Sequence, residues 1–424
     1  MKNDQKDICL FSKLLCCKGC FFCLICTYVR WPGGRVVMQR TANPWMPVRF
    51  RPWPPNFIMI DILTLTNFRN HKVSRIEVGD AKNVIIVGEN GAGKTAILEA
   101  LSVLSGDRGM RNADMADMAC FSGNGGFSVF GKTTDGDSVC VYFNNGDSNR
   151  HAKINDENSN LGDLSRMLQI VWISPQEDRL FVESALNRRT FFDRLISNFD
   201  LSHNGRIAKL SKILSERAFA LKNGSDSKWL DILDDQLAAV AVAVAAARVQ
   251  YAGEINYFLK RFSISVDGKL EKNLISGTPA AVVEREYRNY LSNTKELVGD
   301  KMVLDGPHKS DFGMFNNELK LPVKLTSTGQ QKSALFDLIL AHTDLLHTKT
   351  KRNCIVLLDE AAAHLDTSAR KRIFSTLNAT HTQVWATGLD KDSFVDVPNA
   401  IIVTCHNGEI RSILYQKEEK NGEN

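Results

Sequence analysis

Beyond residue 57 the sequence is poor in the features that mark several protein classes. Four cysteines remain there, Cys120, Cys140, Cys354 and Cys405, scattered without metal-type spacing. That pattern excludes a disulfide scaffold and suits a reducing cytoplasm. No hydrophobic run in this part approaches the roughly 20 residues of a membrane helix, and the Ala/Val-rich stretch 237–247 is far too short. There is no internal repeat and no low-complexity tract apart from a polar tail at 416–424. Bulk charge is missing too. The formal net charge of the 424 residues is +5, but residues 1–57 hold nine Lys and Arg against two Asp and Glu, which leaves 44 basic and 46 acidic residues in the rest. Any nucleic-acid contact must therefore come from local patches. No basic ribbon interleaved with aromatics is present, which disfavours base stacking and favours recognition of backbone or shape. With 43% apolar and 24% charged residues, the chain as a whole is ordinary for a globular protein of several domains.

The first 57 residues depart from this composition, carrying six of ten Cys, six of eleven Pro and three of six Trp. Lys13 and Lys18 interrupt the apolar stretch 11–29, which makes a poor membrane span and a poor signal region. Cys17, Cys20, Cys23 and Cys26 lack the final spacing of an iron–sulfur run. Residues 40–55 (RTANPWMPVRFRPWPP) have neither a period of 2 nor of 3.6, and their prolines break either element. The stretch resembles translated noncoding DNA, since Val-Arg-Phe followed by Pro-Pro is what a transfer-RNA T-arm and CCA end encode. The working protein is expected to start near Met59.

Segments 57–66 and 83–87 read as strands rich in branched residues. A helix is expected at 95–104, with Ile97, Leu98, Leu101 and Leu104 on one face suited to packing on a sheet. Further strands are expected at 127–130, 138–143 and 168–173. Residues 183–293 read as mostly helical, with breaks near Asn204-Gly205, Asn223-Gly224 and Asp267-Gly268, and with 227–262 as one uninterrupted helix of roughly 50 Å. After it come a helix at 329–347, a strand at 354–358, a helix at 367–377 and strands at 383–387 and 400–404.

Gly88, Glu89, Asn90, Gly91, Ala92, Gly93, Lys94 and Thr95 spell GENGAGKT between a strand and a helix. This is the phosphate-loop (Walker A) pattern, in which backbone N–H groups and a helix N-terminus face phosphate oxygens. Lys94 would neutralise phosphate charge and Thr95 would ligate Mg²⁺. The run IVLLDE at 355–360 is a buried strand ending in two carboxylates, as Walker B requires. Asp359 is suited to hold Mg²⁺ and Glu360 to deprotonate an attacking water. At a third helix start, STGQQ (327–331), Ser327 or Thr328 as N-cap, Gly329 without a side chain, and free N–H groups including that of Gln330 form a second anion site. One nucleotide does not need two such sites. In ABC-type ATPases this signature reads the γ-phosphate held by the opposite subunit, so it predicts an ATP-dependent homodimer.

In order and spacing, LTLTNFRNH (63–71), GENGAGKT (88–95), NRRTFFDRL (187–195), DGPHKSDF (305–312), STGQQKSAL (327–335) and LLDEAAAHLD (357–366) resemble the RecF family, the smallest relatives of the SMC and Rad50 ATPases. The resemblance covers 58 to about 412. It implies an α/β fold, an ABC-type ATPase head with an inserted helical arm. The expected division is an extension at 1–57, a first head part at 58–177, the arm at 178–297, a second head part at 298–415 and a tail at 416–424. The 265 positions from Lys94 to Asp359 are about twice what a transporter ATPase needs, and full-length SMC chains insert many hundreds.

The resemblance also implies residue roles. Asn67 to Asn70, with Asn67 and Arg69 as binding residues, would lie beside the base and phosphates. Gln176 would be the Q-loop glutamine, sharing catalysis with Lys94 and Glu360. Asp366 would be the D-loop acid facing the other subunit, and Thr387 would take the place of a switch histidine. Lys309 stands where the family usually has Arg, and Ser310 where it often has Asp. Apart from the resemblance, the local basic patches open to DNA are Arg188, Arg189 and Arg194, then Arg206, Lys209 and Lys212, then 370–372, each set against the plainer reading of a solvated helix face.

The function implied is an ATP-dependent dimer that closes on duplex DNA near gaps. Its ATPase would be slow and used as a switch, without nuclease activity. RecR and RecO would be partners and RecA loading on gapped DNA the outcome, in the SOS response, in the cytoplasm and without a membrane. The alternatives are a transporter-associated ATPase and a nuclease-coupled one, for which Asp390, Asp392 and Asp396 make a sparse metal site. Mass spectrometry of native cell extract is expected to find no peptide upstream of Met59; one such peptide would overturn that start.

Overall fold

The computed structural model describes residues 59–224, 226–295, 304–360, 367–379 and 382–415, and the side chains of 367–369 are not among them. The expectations on 1–57, on Asp366 and on the tail lie outside the described residues.

Two six-stranded sheets enclose one helix. The first is mostly parallel, in the order Glu409–Tyr415, Ala400–His406, Asn83–Val87, Thr382–Gly388, Cys354–Leu358, Gln169–Ile173, with only the outermost Glu409–Tyr415 strand antiparallel to its neighbour. Its inner strands are near-continuous apolar runs because both faces are covered. Val84, Ile86, Ile355, Leu357 and Trp385 pack on one side, while Ile85, Val87, Val356, Leu358, Val384 and Ala386 pack on the other. The second sheet is antiparallel, in the order His71–Glu77, Ile60–Phe68, Phe127–Thr133, Ser138–Phe143, His151–Ile154, Glu157–Ser159.

The helix Lys94–Leu104 lies in the core between these sheets. All of its residues except Thr95 are buried, so it has no solvent face, in place of the single apolar face expected. Gln383 ties the sheets together. Its amide accepts from Ile60 N at 3.0 Å and donates to Ile60 O at 2.9 Å.

The expected arm is helical with one interruption. Helices span Ala185–Ser197, His203–Lys222, Ser227–Ile255, Lys269–Ile275 and Ala280–Asn293. Asn204 and Gly205 fall inside the second of these, so the break precedes them. The long helix ends at Ile255, about 43 Å from its start at ~1.5 Å per residue. Phe262–Asp267 is instead a strand, paired in register with Asp311–Asn316. Its alternation of Phe262, Ile264 and Val266 with polar residues is the period of a half-buried strand. The arm has its own apolar cluster, including Leu210, Ile213, Leu233, Leu237, Val244, Val283 and Leu291.

Where the arm meets the head, Arg248 is buried and donates to Asp193 Oδ1 at 2.9 Å and Oδ2 at 2.7 Å, and Asp193 Oδ1 lies 2.9 Å from His203 Nε2. Ser310 donates to buried Glu271, whose carboxylate lies 3.7 Å from the Arg248 guanidinium. Glu271 thus places a buried carboxylate between Ser310 and Arg248. Removing one partner of such a pair strands a buried charge, at a cost of about 3–5 kcal/mol. Arg248→Ala is expected to lower stability by about that much in urea denaturation, with exposed Lys212→Ala within about 0.5 kcal/mol of the parent.

Candidate nucleotide site

Adjacent strands of the parallel sheet bring three segments to one edge. Asn83–Val87 runs into the glycine loop, Cys354–Leu358 into Asp359 and Glu360, and Thr382–Gly388 lies between the two. The loop's conformation requires glycine at two points. Gly88 has φ +154°, and a Cβ there would stand 2.2 Å from Cys405 O. Gly93, at φ +108°, leads directly into the helix, and its Cβ would meet His71 Nε2 at 2.5 Å.

The loop is braced from behind. Ala92 O accepts from Gly408 N at 2.8 Å and from Cys405 Sγ at 2.9 Å. His71 Nε2 lies 3.0 Å from Gly93 O, which can only accept, so Nε2 carries the hydrogen. Burial holds the His71 pKa below its ordinary value; Nδ1 lies 2.8 Å from the Ser74 hydroxyl, which donates to Gly408 O at 3.2 Å. Lys94, 5% exposed, donates to Gly88 O at 2.7 Å and Glu89 O at 2.8 Å, so its ammonium is held against the loop.

Asp359, 4% exposed, is the centre of the polar network. Its Oδ1 accepts from Thr95 Oγ1 at 3.0 Å and from Thr387 Oγ1 at 2.9 Å, while Thr387 Oγ1 accepts from Glu360 N at 2.8 Å. That last bond holds Glu360 at φ +54°, a left-handed conformation that costs a non-glycine residue energy. One threonine therefore positions both acids. Burial pushes the Asp359 carboxyl above the ordinary range, aided by the neighbouring Glu360 charge and opposed by the two hydroxyl donors.

A cleft of about 700 Å³ opens beside the loop, lined by Asn70, Asn90, Gly91, Gly93, Lys94, Thr95 and Glu360, and on its other side by Arg69, Arg111, Asp117 and the segment 119–122. Arg69 turns inward. It makes a bidentate pair with Glu99, which is 0% exposed, at 2.8 and 2.6 Å, and donates to Asp117 O at 2.7 Å. Asn67 lines a neighbouring groove instead, and its carbonyl accepts from Cys120 N at 2.8 Å. Gln176 is exposed just beyond the strand next to Walker B, outside the cleft lining. Ser327 caps the helix Thr328–Thr350 by accepting from Gln330 N, and Ser327 and Gly329 are exposed and do not line their own chain's cleft.

Sequence reasoning missed Arg111, Asp117 and Phe121, because nothing in the spacing of 105–126 separates it from an ordinary connection. It also misjudged the arm base. Arg188 is bidentate to Asp311 at 2.7 and 2.8 Å, Arg189 donates to Ser310 O, and Arg194 bonds Glu177 and Trp172 O while stacking 4.0 Å over the Trp172 ring. These guanidinium groups fix the arm to the head and are not a surface patch. Lys309 is exposed, as are Lys209, Lys212, Lys371 and Arg372, whereas Arg370 is buried over Phe394.

A carboxyl whose pKa is raised by folding binds its proton more tightly in the folded chain, so its stabilising contribution is full below the unfolded value and is lost as pH rises through the folded value. Asp359→Asn, which keeps an acceptor and cannot ionise, is expected to melt above the parent at neutral pH. The gain should vanish on acidification below the ordinary carboxyl range, as thermal melts across pH would show.

The family model described as the RecF/RecN/SMC N-terminal domain matches residues 59–411. The DNA replication and repair protein RecF of Mesorhizobium japonicum is 34% identical over 354 residues, covering 79% of this chain and 92% of that protein. RecF of Brucella suis is 33% identical over 361 residues, covering 80% and 92%. A solved structure of the recombination mediator protein RecF with ATP, from the RecFOR pathway, has the same fold at 22% identity, with TM-score 0.70 over 84% of this chain and 99% of that one. The chain belongs to the RecF family, with the ABC-type ATPase head of the RecF and SMC proteins.

Proposed function

We propose that this chain is an ATP-driven switch that binds DNA in recombinational repair and replication. The observation that carries the reading is the Thr95–Asp359–Thr387 hydrogen-bond network beside the glycine loop, combined with a signature helix start exposed away from its own cleft. The amides of 88–95 and Lys94 bind the phosphates, with Arg69 and Asn67 shaping the neighbouring wall. Thr95 and Asp359 fit Mg²⁺, a hard cation that takes one or two protein oxygens and draws the rest from phosphate and water. That ion, when bound, neutralises phosphate charge. Glu360 takes the proton of the attacking water, Gln176 orients that water, and Asp366 contacts the opposite subunit.

Ser327, Gly329 and Gln330 of each chain complete the other's site. ATP binding then shifts the population toward a closed homodimer, because each signature meets a γ-phosphate only on closure. Closure aligns local basic patches on duplex DNA near a single-strand gap, with exposed Lys209, Lys212, Lys371 and Arg372 as the candidates. Slow hydrolysis releases the clamp, and no nuclease step is involved. RecR and RecO are the proposed partners and RecA loading on gapped DNA the outcome, in the SOS response and in the cytoplasm. No helix among the described residues is long and apolar enough to cross a membrane.

Sedimentation with and without ATP and a gapped duplex tests this. Lys94→Ala is expected to stay monomeric with ATP, and Glu360→Gln to be trapped as a dimer. DNA affinity should rise with ATP and fall by orders of magnitude with salt. A monomeric Glu360→Gln protein, or equal DNA affinity with and without ATP, would refute the clamp.

A further inference from the structure

A second cavity, of about 310 Å³, lies at the far end of the phosphate-loop helix, and no residue lining it lines the nucleotide cleft. The helix Lys94–Leu104 separates the two by about 16 Å at ~1.5 Å per residue. The loop after that helix brings Asp107 and Arg108 to the cavity, the edge strand Gln169–Ile173 brings Trp172, the arm helix Ala185–Ser197 brings Arg194, and Arg150 stands beside them. Three guanidinium groups therefore line it against one carboxylate. Glu177 pairs with Arg194 from outside the lining, which still leaves one positive charge over. Neither Arg108 nor Arg150 forms an ion pair among the described residues, and the Arg150 guanidinium donates to the backbone carbonyls of Asp107 and Gly106. Burial draws the Arg150 pKa below its ordinary value, with Asp107 opposing the shift and Arg108 reinforcing it.

Two of the lining residues also carry buried donors without an acceptor. Trp172 is 3% exposed, and its indole N–H has no hydrogen-bond partner. Arg194 uses its two terminal nitrogens on Glu177 and Trp172 O, and its Nε–H is buried without a partner. Buried donors are ordinarily paired, and an anion in this cavity would offer acceptors to both. We propose that the cavity binds a small phosphorylated molecule, with the phosphate held by Arg108, Arg150, Arg194 and the Trp172 N–H. These donors come from separate elements, which suits oxygens arranged as a tetrahedron, whereas a carboxylate offers two oxygens in one plane. The volume is at the lower end for small-molecule pockets, so the ligand is a small molecule and not a nucleic-acid strand.

Magnetic resonance of isotope-labelled tryptophan indoles in the full chain, titrated with inorganic phosphate, pyrophosphate and acetate, tests it. Phosphate or pyrophosphate is expected to shift the Trp172 N–H signal saturably, the signal being identified by its loss in Trp172→Phe, while acetate leaves it in place. Lys94→Ala is expected to keep the response, since that change disables only the phosphate loop. Arg150→Ala is expected to weaken binding by roughly 10- to 150-fold, the range of a charge-assisted hydrogen bond. Arg108→Ala, at an exposed position and expected to melt with the parent, should weaken it as well. An unmoved Trp172 signal, equal affinity in the parent and both arginine variants, or an equal response to acetate would overturn the proposal. Loss of the response in Lys94→Ala would overturn it too, because the anion would then sit at the phosphate loop. So would a response to duplex DNA with none to phosphate or pyrophosphate, which would make the partner a nucleic-acid backbone.

Discussion

The site depends on a single carboxylate oxygen. Asp359 Oδ1 accepts from Thr95 at the start of the loop helix and from Thr387 on the neighbouring strand, and Thr387 in turn fixes the backbone of Glu360. Segments far apart in the chain are thereby locked at the end of one sheet. Burying the carboxylate is costly in isolation, and the two hydroxyl donors offset part of that cost. What remains is strain concentrated where chemistry is needed, together with the left-handed Glu360. The loop helix has no solvent face, so the loop at its N-terminus is attached to an element buried along its whole length.

The arm shows the opposite use of charge. A cluster of arginines at the arm's base looks like a nucleic-acid patch when counted, yet Arg188, Arg189 and Arg194 all turn inward. Arg188, Arg189 and Arg248 join helices of the arm to the strand and loop around Ser310, while Arg194 ties the arm to Glu177 and Trp172. A guanidinium suits this task because it offers several donors in one plane and stacks on aromatic faces, as Arg194 does on Trp172.

Strands rich in branched residues were legible in advance. Asn83–Val87 and Cys354–Leu358, buried on both faces, and Ser138–Phe143, with one face covered, form over the segments expected, because their residue types leave few alternatives. More polar strands, such as His71–Glu77, Phe262–Asp267, Asp311–Asn316 and Glu409–Tyr415, were missed. Their polar alternation is short, and what makes them strands is a partner distant in the chain. The 262–267 alternation was nonetheless visible in the residues. It was obscured by reading a long helix through Phe262.

The sequence by itself determined the glycine loop, the paired acids, the capped signature helix and their order, because these depend on residue type and local backbone geometry. Only the tertiary structure decided which arginines face solvent, that Asn67 lies outside the cleft and braces the turn on its wall, and that Thr387 positions both acids. The physical reason is that these properties belong to pairs of groups. A guanidinium is a surface charge or a structural tie depending on whether a carboxylate or carbonyl is folded against it.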